Sequence, residues 1–273
     1  MKKILIACAI ATVFISVQAT AQQKEGRVVY ERTIQMQIRF SDSDDGIERN
    51  LPRTRTDKLE VLFGNNLSLR KTLQDDSPDE GAFESSNGNG MTFRMVTAGA
   101  DDITFVNLAQ GTSVEQRELG TKKYIVTDSV RKLDWKLTGE TKTILGFPCQ
   151  QATAQRISSR FAMTIDNGET KRQEIPDTMN ITAWFAPSIP VAAGPEYQAQ
   201  LPGLILAIDI NNGRTVYKAI EVSPKVDVAT IKEPKGNKKI TQAEFTKERD
   251  KMFEEMQKNN SGPGRRMIIR SGE

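Results

Sequence analysis

The chain has 273 residues, 37% hydrophobic and 27% charged, with a formal net charge of +3 and no histidine. Such a composition suits a globular protein, and near-neutrality without a dominant basic stripe argues against nucleic acid as a main partner. With no imidazole, the Ser-His-Asp and Cys-His systems and the histidine-bearing zinc motifs are excluded.

The chain opens on Met1-Lys2-Lys3, an apolar run from Ile4 to Val17, and Ala19-Thr20-Ala21. A basic start, an apolar centre and a small-x-small site predict a secretory leader over 1–21, cleaved after Ala21. The run falls short of the ~20 residues of a membrane-spanning helix. Leu5-Ile6-Ala7-Cys8 imitates a lipid-attachment site but sits too close to the start. The expected product is exported, periplasmic or associated with the cell envelope, and has no transmembrane span. Cys149 is then its one cysteine, so no internal disulfide forms.

From Gly26 on, Val28, Tyr30, Ile34, Met36, Ile38 and Phe40 alternate with polar residues, the period of a sheet with one wet face. Residues 41–57 read as a polar loop. Leu59–Phe63 and Leu67–Leu69 read as a hairpin about Gly64-Asn65-Asn66. A second polar loop, Gln74–Gly90, carries Asp75, Asp76, Asp79 and Glu80. Strands are expected at Met91–Val96, Ile103–Leu108, Val114–Leu119, Lys122–Thr127, Gln151–Ile157 and Ile181–Phe185. Asp166-Asn167-Gly168 marks a turn. Pro187, Pro190 and Pro195 predict an open, rigid path, because proline cannot donate into a ladder.

The chain is organised around the stretch that follows. Pro202-Gly203 predicts a type II turn, with glycine taking the positive φ at its second central position. Leu204–Ile210 is an unbroken apolar run of buried-strand length. Asn211-Asn212-Gly213 then turns the chain into a strand over 214–222. Residues 226–239 read as a linker. Thr241-Gln242-Ala243-Glu244 reads as a capping box, with Ile240 and Phe245 as its hydrophobic staple, opening an amphipathic helix over 240–258. The Gly- and Arg-rich end, 259–273, is expected to be disordered. The fold class is thus mainly β: a curved antiparallel sheet of roughly ten strands over 22–225, a partly open barrel or sandwich, with a C-terminal helix.

Three blocks carry a resemblance. They are Gly146-Phe147-Pro148-Cys149-Gln150-Gln151-Ala152-Thr153, then Ala183-Trp184-Phe185-Ala186-Pro187-Ser188-Ile189-Pro190, then Gly194-Pro195 with Leu201-Pro202-Gly203-Leu204-Ile205-Leu206. In order and spacing they resemble the GLPGLI family of exported Bacteroidota proteins, also called Porph_ging. One departure is visible: Gln200 stands where the name motif has its first glycine. The resemblance implies a compartment and a fold type, and no activity.

No Walker loop, GxGxxG or CxxC occurs. Around Gly46, Ser41 and Ser43 fall where a calcium loop needs carboxylates, and Pro52 where it needs its closing Glu, so no metal and no cofactor is expected. Cys149 reads as a small buried hydrophobe beside Phe147. Trp184, Phe185, Tyr197 and Tyr217 cluster in sequence around the organising turn; they either line a pocket for an apolar ligand or pack against the Leu-Pro-Gly corner. Three functions stay open: a non-catalytic binding or envelope-support protein taking an apolar small molecule or a partner segment, an interaction module pairing an edge strand and the tail with an envelope protein, and a hydrolase working through carboxylates.

Overall fold

The structure is a computed structural model that describes residues 23–35, 54–73, 82–86, 92–96, 102–166, 169–236 and 238–260. The expected leader, Met36, Ile38 and Phe40, the acidic positions 41–53 and 75–80, the Asn167-Gly168 tip and the end of the tail lie outside the described residues.

In chain order the strands are β1 (Gly26–Gln35), β2 (Thr54–Gly64), β3 (Leu67–Leu73), β4 (Ala82–Ser86), β5 (Thr92–Val96), β6 (Ile103–Asn107), β7 (Thr112–Leu119), β8 (Lys122–Ser129), β9 (Lys136–Ile144), β10 (Phe147–Asp166), β11 (Glu169–Ala186), β12 (Leu204–Ile210), β13 (Thr215–Ser223) and β14 (Lys239–Thr241), followed by helix α1 (Gln242–Asn260). Twelve of them form one sheet in the order β14-β8-β7-β6-β3-β2-β1-β13-β12-β11-β10-β9. Every pairing is antiparallel except β14 on β8. The sheet is open and not closed into a barrel.

Local chemistry explains the hairpins. Asn65 and Asn66 both take positive φ, 53° and 60°, and Gly64 pairs with Leu67, the geometry a two-residue loop between twisted strands requires. Asn211, Asn212 and Gly213 do the same between β12 and β13, and the Gly213 N–H donates to Asp209 Oδ1 at 2.7 Å. Three expectations need correction. β4 and β5 form a separate ribbon, so the stretch read as a loop through Gly90 holds a strand. Thr54–Asp57, also read as loop, belong to β2, where Asp57 pairs with Arg32. β9 was not foreseen, since Thr138–Thr143 offers no apolar alternation; it is an edge strand exposed over Lys136–Thr143.

The core lies where the organising stretch was expected to put it. Leu204, Ile205 and Leu206 are 0% exposed and Ile208 1%, packed with Val28, Tyr30, Val61, Phe63 and Ala183. Burying such side chains is worth ~1.5–3 kcal/mol each. Beyond Ser223 the chain does not leave the sheet at once. Ile231 is 4% exposed and joins Leu62 and Leu69 in a second cluster, with a 3-10 turn at Val228–Thr230 between, so the first half of the expected linker is docked. The capping box forms as read: Thr241 N–H donates to Glu244 Oε2 at 2.7 Å, and Glu244 N–H to Thr241 Oγ1 at 3.2 Å. Phe245 and Ile240 close over Tyr124 and Val126 on β8.

Tyr30 ties β1 to the organising strand: its hydroxyl donates to the Ile205 carbonyl at 2.6 Å with no exposure. Burial holds this phenol, and that of Tyr217, above the ordinary range. Their folded pKa values therefore exceed the unfolded value of ~10. The stability they contribute is complete below that pH and is lost as pH rises through it. Tyr30→Phe is expected to cost about 1–2 kcal/mol at neutral pH, from the unmade hydrogen bond, and to flatten the alkaline loss. Urea midpoints measured across the phenol range check both; parallel slopes for wild type and variant would contradict the account.

Candidate functional site

Between β11 and β12 the chain crosses the core as a strap, residues 187–203. The prolines do not hold it open. Ile189, Val191, Ala193 and Leu201 are all buried, and the strap is stitched down by Leu204 N–H to Ile189 O at 2.9 Å and Ile205 N–H to Ala193 O at 2.9 Å. The Pro202-Gly203 corner also differs from the type II expectation. Gly203 N–H donates to Leu201 O at 2.9 Å, closing a tighter three-residue turn on Pro202, and Gly203 has no positive φ. Glycine is required there for space: a Cβ would lie 2.5 Å from the Ala186 carbonyl oxygen and 3.0 Å from the Phe185 ring. Gly194 is a close-approach glycine too, its Cβ position 2.8 Å from Ile205 Cβ. The left-handed residues of the strap are Tyr197 and Ala199, at φ 55° and 59°.

The four candidate aromatics divide between two faces. Ala183, Ile208 and Tyr217 stand in one cross-strand row, and Trp184, Ala207 and Lys218 in the next. Side chains alternate along a strand, so Phe185 and Tyr217 enter the core at 1% and 5% exposure while Trp184 lies on the other face. There the Lys142 ammonium sits 4.0 Å over the Trp184 ring, and burial lowers the Lys142 pKa. Tyr197, on the strap, meets Trp135 edge-on with centroids 5.7 Å apart. Cys149 is fully buried and donates to the Phe147 carbonyl at 3.3 Å. Burial pushes its thiol up, which disfavours the reactive thiolate.

Sequence reasoning missed a polar lane beside the strap. Register places Tyr217, Arg32 and Asp57 in one row, and Val61, Arg70, Thr104, Glu115 and Val126 in another. Arg32 holds Asp57 in a two-pronged pair, Nε to Oδ1 at 2.8 Å and NH2 to Oδ2 at 2.5 Å. Arg70 clamps the strap: it pairs with Glu196, donates to the Pro195 carbonyl at 2.7 Å, and reaches Thr104 Oγ1 at 3.0 Å. Tyr217 hydroxyl reaches the same Glu196 carboxylate at 3.3 Å. Burial raises the Asp102 pKa, although Glu118 N–H and the nearby Arg117 and Arg70 oppose it. These partners come from strands far apart in sequence, so no spacing announces them. Among the described residues no group of three His, Cys, Asp or Glu is placed to hold a metal ion.

Gln200, the departure from the family pattern, has a structural task. Its Oε1 accepts from Leu133 N–H and Trp135 Nε1–H, both at 3.0 Å, and its Nε2 donates to Arg131 O at 3.2 Å. It thereby fixes the crossover from β8 to β9 onto the strap. Gln200→Gly is expected to cost about 2 kcal/mol, three modest hydrogen bonds less the part water replaces. Amide exchange at Leu133 should quicken with it; unchanged protection there would remove the clamp from the account.

The other feature of this side of the sheet is a two-stranded ribbon. β9 flanks β10 only over Phe147–Thr153, and β12 flanks β11 only over Ile181–Ala186. From Gln155 opposite Asn180 to Asp166 opposite Glu169 the β10–β11 hairpin has no further strand beside it among the described residues. At 3.3 Å per residue it projects roughly 40 Å. Ile157, near its base, is 79% exposed, and Leu137 and Leu145 on β9 and its turn are 64% and 47% exposed.

Among solved structures the chain is similar to "Structure of PNGF-II in P21 space group" at 15% identity and TM-score 0.48, covering 84% of this chain and 34% of that one. The C2 crystal form of PNGF-II matches at 14% identity and TM-score 0.46, covering 82% and 32%. The chain thus spans about a third of the length of these structures. None of the curated proteins compared matches it. The model of the family described as "Protein of unknown function (Porph_ging)" matches residues 135–207, from Trp135 through β9, β10, β11 and the strap into β12. All three signature blocks fall within this matched segment, and over these residues the chain is similar to the Porph_ging family.

Proposed function

We propose that the protein is a non-catalytic, exported interaction module of the cell envelope, offering the β9–β11 side of its sheet to a protein partner. The carrying observation is the asymmetry between the two edges. β14 is three residues long and runs straight into α1, whose Phe245 packs on Tyr124, so that edge is short and shielded. At the other edge β9 is exposed over Lys136–Thr143, and among the described residues the ribbon beyond it has no further strand beside it. Open strand edges are templates for another chain. The carboxylates of the polar lane support the non-catalytic reading: Asp57, Glu196 and Glu115 are each engaged by an arginine in an ion pair within the fold. Export is supported by the basic, apolar and small-residue pattern over 1–21. No helix of the described residues is long and apolar enough to cross a membrane.

A second reading takes the apolar-ligand expectation to the Tyr197–Trp135 pair, where aromatic surface on the strap is only partly buried. It predicts a co-purifying adduct in native mass spectrometry that Tyr197→Ala abolishes. For the interaction reading, a photo-reactive residue placed at Leu137 or Ile157 should cross-link a defined envelope protein in cells, and one at Lys251 on α1 should not. Equal labelling from all three positions would remove the reason for choosing this side.

A further inference from the structure

We propose that the partner taken at this side of the sheet is an extended, acidic protein segment that adds to β9 as a further strand. This deepens the interaction reading and rests on it.

The free hydrogen-bonding groups of β9 follow from its turn. Leu145 and Gly146 take φ 49° and 84° and close a two-residue loop between Ile144 and Phe147, so that pair exchanges the bonds nearest the turn. In an antiparallel ladder the next pair exchanges none, and the pattern alternates. Thr143 stands opposite Pro148, which has no N–H to offer, and Thr141 stands opposite Gln150. The N–H and C=O of Thr143 and Thr141 therefore point away from β10, and β9 is the last strand of its sheet. Beyond Thr141 the register shifts, and Gly139 takes φ 82°. The Gln151 amide fills that shift, accepting from Thr138 Oγ1 at 2.8 Å and donating to Glu140 Oε2 at 3.0 Å. This bulge ends the regular edge and confines an added strand to a short frame over 141–144.

Charge names the occupant. Arg131, Lys132, Lys136 and Lys142 are exposed along this stretch against Asp134 and Glu140, four cations to two carboxylates. Among the described residues none of the four cations makes an ion pair. Glu140 is turned to Gln151, and Lys142 is held by an aromatic ring instead of an acid, its ammonium 4.0 Å over Trp184. Gln200 fixes the start of the stretch through the Arg131 carbonyl and the Leu133 N–H. A basic segment would be repelled here. An acidic one is attracted, and its backbone bonds to Thr141 and Thr143 then set its register. Leu137 and Leu145, 64% and 47% exposed, offer apolar contact near the two ends of the edge.

The test measures binding of two short labelled peptides to the full chain by fluorescence anisotropy at low salt. One peptide alternates valine with glutamate, the other valine with lysine. The glutamate peptide is expected to bind roughly tenfold or more tightly than the lysine peptide, and to weaken as salt rises. Thr143→Pro removes an outward N–H and no ladder bond, so it should keep the wild-type melting temperature and lose binding roughly tenfold or more. Lys132→Glu combined with Lys136→Glu leaves every backbone group in place and should reverse the preference between the peptides. Equal affinity for both peptides overturns the proposal. So does glutamate-peptide binding that Thr143→Pro leaves unchanged, which would mean attraction of charge without strand addition. A doubling of mass on concentration that Thr143→Pro abolishes would give the edge to a second copy and overturn it too. If the glutamate peptide fails to bind while a photo-reactive residue at Leu137 still cross-links an envelope protein in cells, the acidic partner is wrong and the interaction reading stands; loss of both would take both.

Discussion

Gly203→Ala is expected to destabilise the protein by about 3 kcal/mol or more, because the added methyl has no room and nothing flexible to displace. The obstruction is backbone: the Ala186 carbonyl oxygen and carbon lie 2.5 and 2.8 Å from the new atom, and Phe185, 1% exposed, closes the remaining side. Relief means parting the strap from the end of β11. That in turn strains the Leu204 N–H to Ile189 O bond and the fully buried Leu204–Leu206 row behind it. For a domain of this size such a loss lowers the melting temperature by roughly 10 °C. The contrast lies at Gly146, where φ is +84° and no atom lies within 4 Å of a Cβ: substitution there costs the conformational strain of ~1 kcal/mol alone. If calorimetry showed the two substitutions equally mild, the close-packing explanation of the signature glycine would be wrong.

Arg70→Met is expected to cost about 3 kcal/mol and to loosen the strap selectively. The guanidinium side chain is 18% exposed and serves three acceptors on two other elements, the Pro195 carbonyl, Glu196 and Thr104. Methionine fills the space but donates nothing, leaving a carbonyl and a carboxylate near the core without their partner. Exchange at the Ala193 and Ile205 amides should accelerate more than at Val61, which lies in the same row on β2. Glu196→Gln, which keeps the carbonyl and threonine contacts of Arg70, should cost less. Uniform acceleration over the sheet, or a loss below about 1 kcal/mol, would show that the strap is held by its apolar residues alone.

The organising strand, the hairpins and the capping box were legible because each is written in local chemistry. Leu204–Ile210 is apolar without a break, Asn65-Asn66 tolerates left-handed φ, and Thr241 with Glu244 satisfies a helix start within one turn. The misreadings share one cause. β9 lacks the alternation that burial imposes, because it is an edge strand exposed over Lys136–Thr143. The Pro202-Gly203 corner matched a turn signature, yet its glycine answers to Ala186, well before it in the chain, a contact no local rule contains. The polar lane was invisible for the same reason: Arg70 finds Glu196 across 126 positions. Of the four aromatics, Phe185 and Tyr217 lie in the core with Leu201 and Leu204–Leu206 and Trp184 and Tyr197 pack against it, while strand alternation turns Trp184 away from Phe185.

The first strand of the sheet is sandwiched between β2 and β13, so Val28 pairs with Val222. A growing polypeptide therefore cannot complete its interior until nearly everything through Ser223 has been made. Up to that moment the Val28–Tyr30 segment lacks its β13 partner. Such late, long-distance closure makes folding slow, and it postpones commitment to the finished shape until the last large strand arrives.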